Sequence, residues 1–270
     1  MSLKLRLIVM NFLQFFIWGT WLITIGRYWF ETRHWSGTSF GAIFSTMGIA
    51  SLFMPALMGI VADRWINAER LYGVLHILGG VFLCLLPLAD SPQQFFWLIL
   101  ATMVCYMPTI SLAIAVAYNA LKRDGLDVVR DFPPIRVWGT VGFIAALWMT
   151  SLLGVETSPA QFYLAAVAAF VLGVYAFFLP PCQPKLEAAS GSLVDILGLN
   201  AFRLFRDRNM ALFFIFAMLL GAALQLTNAY GGTFLGEFSS NAVYAHTLAV
   251  KYPAIIMSIS QVSETLFILA

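Results

Sequence analysis

Charged residues are scarce in this chain: 13 acidic and 15 basic side chains make up 10% of 270 residues, leaving a net charge of +2. Soluble domains carry about 25% charged residues, so a water-facing surface for the whole chain is excluded. A net charge this small and dispersed also argues against nucleic acid as a partner. Cysteine is nearly absent. Cys84, Cys105 and Cys182 stand alone, with no CxxC and no His/Cys cluster, so neither a disulfide framework nor a metal site is expected. No HExxH, no GxGD and no nucleophilic serine with a paired histidine occurs, which argues against a membrane-embedded enzyme. A cleavable leader is not expected either. Lys4 and Arg6 precede an apolar run, but that run continues to about Phe30, is rich in Phe and Trp, and lacks a small-residue cleavage site.

Apolar residues are abundant: 61% of the chain is hydrophobic, and the mean hydropathy is +0.85. The sequence therefore predicts an all-α integral membrane protein in a lipid bilayer. A spanning helix needs about 20 mostly apolar residues, and eight segments qualify, at about 7–30, 39–61, 70–89, 94–120, 135–155, 160–180, 209–235 and 251–270. The connections at 62–69, 121–134 and 181–208 hold Arg64, Lys122, Arg123, Arg130, Lys185, Arg203, Arg206 and Arg208, whereas the opposite side holds only Arg27, Arg33 and Lys251. By the positive-inside rule the N-terminus and the charged loops are cytoplasmic.

The longest connection begins PPCQPKLEAASGS and then takes on an amphipathic helical rhythm through Leu193, Ile196, Leu197 and Phe202. It divides the chain into a six-span bundle at 1–180, a cytoplasmic linker at 181–208 and two further spans at 209–270. Six-span halves joined by such a loop are the layout of major facilitator transporters. The expected fold is therefore a six-helix N-terminal bundle plus the first two helices of a C-terminal bundle. The loop between spans two and three adds a pointer. Gly59, Asp63 and Arg64 resemble the superfamily's loop motif, in which the glycine permits close helix approach and the charges cap or pair with helix ends.

Polar residues inside apolar segments are the functional candidates. Ser258, Gln261 and Glu264 recur at i, i+3, i+6, and Glu264 is the only carboxylate well inside an apolar segment. An ionisable group in hydrocarbon costs at least ~2.5 kcal/mol, so it faces a wet cavity or a partner. Gln225 and Asn228 sit one turn apart in span seven, where carboxamides either glue helices together or match a planar polar ligand. Span five opens DFPPIRVWGTVGF, with Pro133 and Pro134 suited to a helix's first turn. Arg136, Thr140 and Phe143 then follow at i, i+4, i+7; the arginine either snorkels to the membrane edge or forms a ligand face with the other two. His76 reads as a satisfied core histidine. Trp18 and Trp21 read as interior packing or cavity wall, and Gly41, Gly48, Gly79 and Gly80 as close helix packing.

Several collinear stretches resemble the nucleoside:H⁺ symporter family of the major facilitator superfamily. They are FLQFFIWGTWL at 12–22, FMPALMGIVADRW at 53–65, YMPTISL at 106–112, DFPPIRVWGTVGF at 131–143, LGLNAFRLF at 197–205, MALFFIFAMLLGAALQLTN at 210–228 and IIMSISQVSETLFIL at 255–269. The resemblance implies uptake of nucleosides such as uridine together with protons across the bacterial inner membrane, without a cofactor. It also implies that Arg136, Thr140, Phe143, Gln225, Asn228, Gln261 and Glu264 line the nucleoside site, with Glu264 sensitive to protons. Members of the family have twelve spans, so the sequence also reads as a chain lacking the last four. Two alternatives stay open: a proton-coupled carrier of another polar solute such as a sugar, and a non-transporting truncated transporter.

Overall fold

The computed structural model describes residues 2–184 and 199–269, except for the side chains of 199–202, 264 and 267–269. The amphipathic stretch expected around Leu193 to Leu197 lies outside the described residues, as does the side chain of Phe202. Every regular element among the described residues is helical. α1 is Leu3–Gly19, α2 Ile25–Arg27, α3 Gly37–Arg64, α4 Ala68–Leu85, α5 Pro92–Arg123, α6 Val128–Leu152 and α7 Ala160–Ala176. A 3-10 segment at Leu199–Arg206 leads into α8 at Arg208–Glu237, followed by α9 at Leu248–Lys251, α10 at Pro253–Met257 and α11 at Ile259–Leu269.

Five of the described helical stretches, containing α3, α4, α5, α6 and α8, are long and apolar enough by themselves to cross a membrane. The remaining expected spans are shorter or broken. Span six is the short α7. Span eight is divided at Tyr252, which precedes Pro253, and again at Ser258. Span one stops being α-helical after Gly19, passes through turns at 20–24, and resumes as α2 and a π-helical turn at Tyr28–Thr32. Side-chain hydroxyls accompany the break: Thr20 Oγ1 donates to the Ile17 carbonyl at 2.7 Å, and Thr24 Oγ1 to Gln161 Oε1 at 2.7 Å. The first kind of bond offers the backbone an alternative to the regular helical ladder, and the second ties the break to α7.

α6 begins earlier than expected. Asp127 caps it by accepting from the Val129 N–H at 2.9 Å, so Pro133 and Pro134 fall inside the helix rather than in its first turn. The carbonyls of Val129 and Arg130, which the prolines leave without helical donors, sit at an exposed end where water can reach them.

α1 and α6 form the central pair, and the glycines along them show how close they come. A Cβ on Gly19 would lie 2.7 Å from the Phe143 carbonyl oxygen, and one on Gly142 would overlap the Phe12 carbonyl. On the far side of the bundle a Cβ on Gly73 would lie 2.8 Å from the Gly173 carbonyl oxygen, joining α4 to α7, and one on Gly80 would press into Phe170. Gly41 and Gly48 face open space instead, as does Gly59, so none of these three serves close helix approach among the described residues. Asp63 is exposed and Arg64 half-buried. The acid that organises this loop is Glu69, which is buried, accepts from Asn67 Nδ2 at 3.0 Å, and accepts from the Cys182 N–H at 2.8 Å.

A polar cluster fixes the middle of the six-helix bundle. Gln14 is fully buried on α1; its Oε1 accepts from Tyr72 OH at 2.7 Å and from His76 Nε2 at 2.8 Å, while its Nε2 donates to Thr109 Oγ1 at 2.9 Å. Tyr106 OH donates to the Gln14 carbonyl at 2.6 Å. His76 is thus a hydrogen-bonded core residue.

α8 meets this bundle along a short seam. Only Asn228, Ala229 and Gly232 of its residues are buried. A Cβ on Gly26 would lie 2.6 Å from the Ala229 carbonyl oxygen, and one on Gly236 would lie 3.0 Å from Glu31 Oε1. Beside the seam Arg27 holds two carboxylates: Glu31 through Nε at 2.8 Å and Nη2 at 2.9 Å, and Glu156 through Nη1 at 2.6 Å. A second junction is the Trp148 Nε1 donation to Ser258 Oγ at 2.9 Å.

Candidate functional site

Where the end of α1 with the break that follows it, α6, α8 and α11 converge, they line a cavity of about 320 Å³. Each helix contributes one face. From α6 come Arg136, Thr140 and Phe143, spaced so that all three project to the same side. α8 contributes Gln225 and Asn228 together with Gly221 and Leu224, and α11 contributes Gln261. From the first span come Phe15, Trp18 and Leu22. Six of the seven side chains expected to line a site therefore share this cavity. The seventh, Glu264, follows Gln261 by three residues on α11, and its side chain lies outside the described residues.

The polar lining is partly pre-arranged. Asn228 Nδ2 donates to Gln225 Oε1 at 3.1 Å, which orients one carboxamide against the other. Gln225 Nε2 then rests 3.7 Å from Met47 Sδ, a weak acceptor. The Gln261 amide has no hydrogen-bond partner among the described residues and projects into the cavity. Donors and acceptors with spare capacity, set in an apolar wall, are what a binding pocket for a small polar molecule requires.

Arg136 lies on the cavity wall, against α1. It is half-buried, and its guanidinium carbon lies 4.1 Å from the centre of the Phe15 ring, a cation–π contact across α1 and α6. Thr140 and Phe143 are buried behind it, at 4% and 7% exposure, which leaves Phe143 little ring surface to offer a ligand. Phe15 and Leu22 escaped the sequence reading, because an apolar residue in an apolar span carries no mark of the face it lines. Trp21, in contrast to Trp18, is 3% exposed and packs into the core.

A second, wider pocket of about 500 Å³ lies past the seam, between Phe30 and Glu31 on one side and Tyr230, Thr233, Gly236, Glu237 and Ser239 on the other. It holds none of the polar residues expected at a site. Among the described residues no group of three His, Cys, Asp or Glu is placed to hold a metal ion.

Apolar helices around a central cavity, with small residues at close helix crossings and polar groups turned inward, define a multi-pass membrane fold of the major facilitator type. The profile of the nucleoside H⁺ symporter family matches residues 1–270, and the chain belongs to that family. It is 47% identical over 269 residues to the nucleoside permease NupG of Escherichia coli (strain K12). Identity to the xanthosine permease of the same organism is also 47% over 269 residues. Both alignments cover 100% of this chain and 64% of the relative, so the chain spans just under two thirds of the length of these proteins. A crystal structure of a mutant nucleoside transporter NupG superposes with a TM-score of 0.93 at 47% identity, covering 99% of this chain and 67% of that one.

Proposed function

We propose that this chain forms most of the nucleoside-binding part of a proton-coupled carrier, taking up nucleosides such as uridine across the bacterial inner membrane by alternating access. The observation that carries the reading is the convergence of Arg136, Thr140, Phe143, Gln225, Asn228 and Gln261, from three separate helices, on one cavity. Its volume of about 320 Å³ lies in the range of small-molecule pockets. In this reading the carboxamides of Gln225, Asn228 and Gln261 read the donor and acceptor edge of the base. Arg136 and Thr140 serve the ribose hydroxyls. Glu264 is the proton-coupling residue in this reading, an ionisable group three residues beyond Gln261 on α11. The proton gradient supplies the driving force, and no cofactor takes part.

The division into 1–180, 181–208 and 209–270 belongs to the same proposal, with the N-terminus and the linker in the cytoplasm. It is supported by the excess of Lys and Arg on the loops of that side. Gly59, Asp63 and Arg64 would act there as a cytoplasmic loop element through the charges of the latter two, since Gly59 faces open space.

The test is uptake of radiolabelled uridine by proteoliposomes containing the 270-residue chain, with and without an inward proton gradient, beside Glu264→Gln. Gradient-driven uptake that the variant loses is the expected result. Saturable uridine binding without flux would keep the site and refute transport by these 270 residues alone. Neither binding nor flux would refute the nucleoside reading.

A further inference from the structure

Planar bases are held in protein sites by two kinds of contact, hydrogen bonds in the plane of the ring and an aromatic surface against its face. The carboxamides of α8 and α11 supply the first. Three aromatic residues line the cavity and could supply the second, and their surroundings separate them. Phe143 is 7% exposed, with its surface spent on packing. One face of Phe15 is covered by the Arg136 guanidinium. Trp18 remains half-buried, with part of its surface on the cavity.

The indole's orientation is decided by where its nitrogen lies. Trp18 Nε1 is buried and has no hydrogen-bond partner among the described residues, so the part of the ring that meets the cavity is carbon. The ring is steadied by neighbours instead of by a hydrogen bond. Tyr106 lies 5.5 Å away at 53° and Phe15 lies 6.5 Å away at 39°. Tyr106 is itself tied through its hydroxyl to the Gln14 carbonyl, in the buried polar cluster. Trp18 is thus braced by two aromatic neighbours, one of them held by a buried hydrogen bond. Leu224, Gln225 and Asn228 of α8 line the same cavity.

We propose that Trp18 is the platform on which the nucleobase stacks, and that it sets the carrier's preference for aromatic, planar bases. This rests on the nucleoside reading of the cavity. A base lying on the indole keeps its edge free for the carboxamides, so ring face and ring edge are recognised by different helices.

The experiment compares uridine with 5,6-dihydrouridine, which keeps the ribose and the hydrogen-bonding edge of the base but loses ring planarity and aromaticity. Equilibrium binding is measured on the purified chain in lipid nanodiscs, for the parent, Trp18→Phe and Trp18→Leu. The parent is expected to bind uridine more tightly than dihydrouridine. Trp18→Leu should weaken uridine by about 5- to 150-fold, the span of one base–aromatic contact, and bring the two ligands to similar affinities. Trp18→Phe should keep part of the preference.

Equal weakening of both ligands in Trp18→Leu would make the residue a structural support and overturn the proposal. So would a parent that does not distinguish the two ligands, a result needing no variant to fold. Failure of the parent to bind uridine at all would refute the nucleoside reading instead.

Discussion

Gln14→Met replaces a buried carboxamide by an apolar side chain of similar length, and the structure sets what is lost. Three side-chain hydrogen bonds vanish: those from Tyr72 and His76 to Oε1, and that from Nε2 to Thr109. Thr109 still donates to the Tyr106 carbonyl at 2.5 Å, so its hydroxyl keeps a partner. Tyr72 and His76, at 0% and 2% exposure, keep none of what Gln14 gave them. Each orphaned buried donor costs about 1–3 kcal/mol, for a combined loss of about 2–6 kcal/mol. The void beside His76, about 10 Å³, is at the lower limit for one water. That void is lined by His76 and not by Tyr72, so hydration there leaves the Tyr72 hydroxyl unrelieved. For a chain of this size each kcal/mol shifts Tm by about 2–4 °C, so a fall of roughly 5–20 °C is expected. The assay is thermal unfolding in nanodiscs, with Asn11→Leu as control. Asn11 is equally buried on the same helix, but its side chain gives only one bond, to the Leu7 carbonyl within α1. Gln14→Met within 1 °C of the parent, or no worse than Asn11→Leu, would refute the reasoning.

Gly142→Ala should separate α1 from α6, because the new methyl would overlap the Phe12 carbonyl and backbone cannot yield as a side chain does. A loss of about 1–3 kcal/mol in thermal unfolding is expected, while Gly41→Ala, in open space, should cost nothing. Arg27→Met should destabilise by up to roughly 3 kcal/mol, since it strands the buried Glu156 carboxylate, whose Oε1 already lacks a partner among the described residues. Adding Glu156→Gln should restore at least half of that in a double-mutant cycle, and strict additivity would show that the pair is not coupled.

Much of the architecture was legible because hydropathy and helix length are local properties. The segment at 39–61 became Gly37–Arg64 and that at 94–120 became Pro92–Arg123. The candidate residues were legible for a related reason: Arg136, Gln225, Asn228 and Gln261 are costly in hydrocarbon, so each marks a place where the chain gains something from polarity. What stayed hidden depended on partners far along the chain. Gln14 reads as one glutamine among phenylalanines until Tyr72, His76 and Thr109 arrive from two other helices. Glu69 reads as a solvated loop acid until Cys182 meets it. The start of α6 was misplaced because proline placement alone was weighed, whereas Asp127 supplies the cap.

The short seam of α8 has a mechanical consequence. From Ala229 back to Arg208 the helix runs about 32 Å at 1.5 Å per residue. Any rotation of the helix about its close contact with Gly26 at Ala229 would grow with distance along it. A tilt of about 10° there would carry the Arg208 end through roughly 5.5 Å, while Gln225 and Asn228 would move by about 1 Å or less. The carboxamides of the proposed site would thus keep their places through a motion that is large at the other end of the same helix.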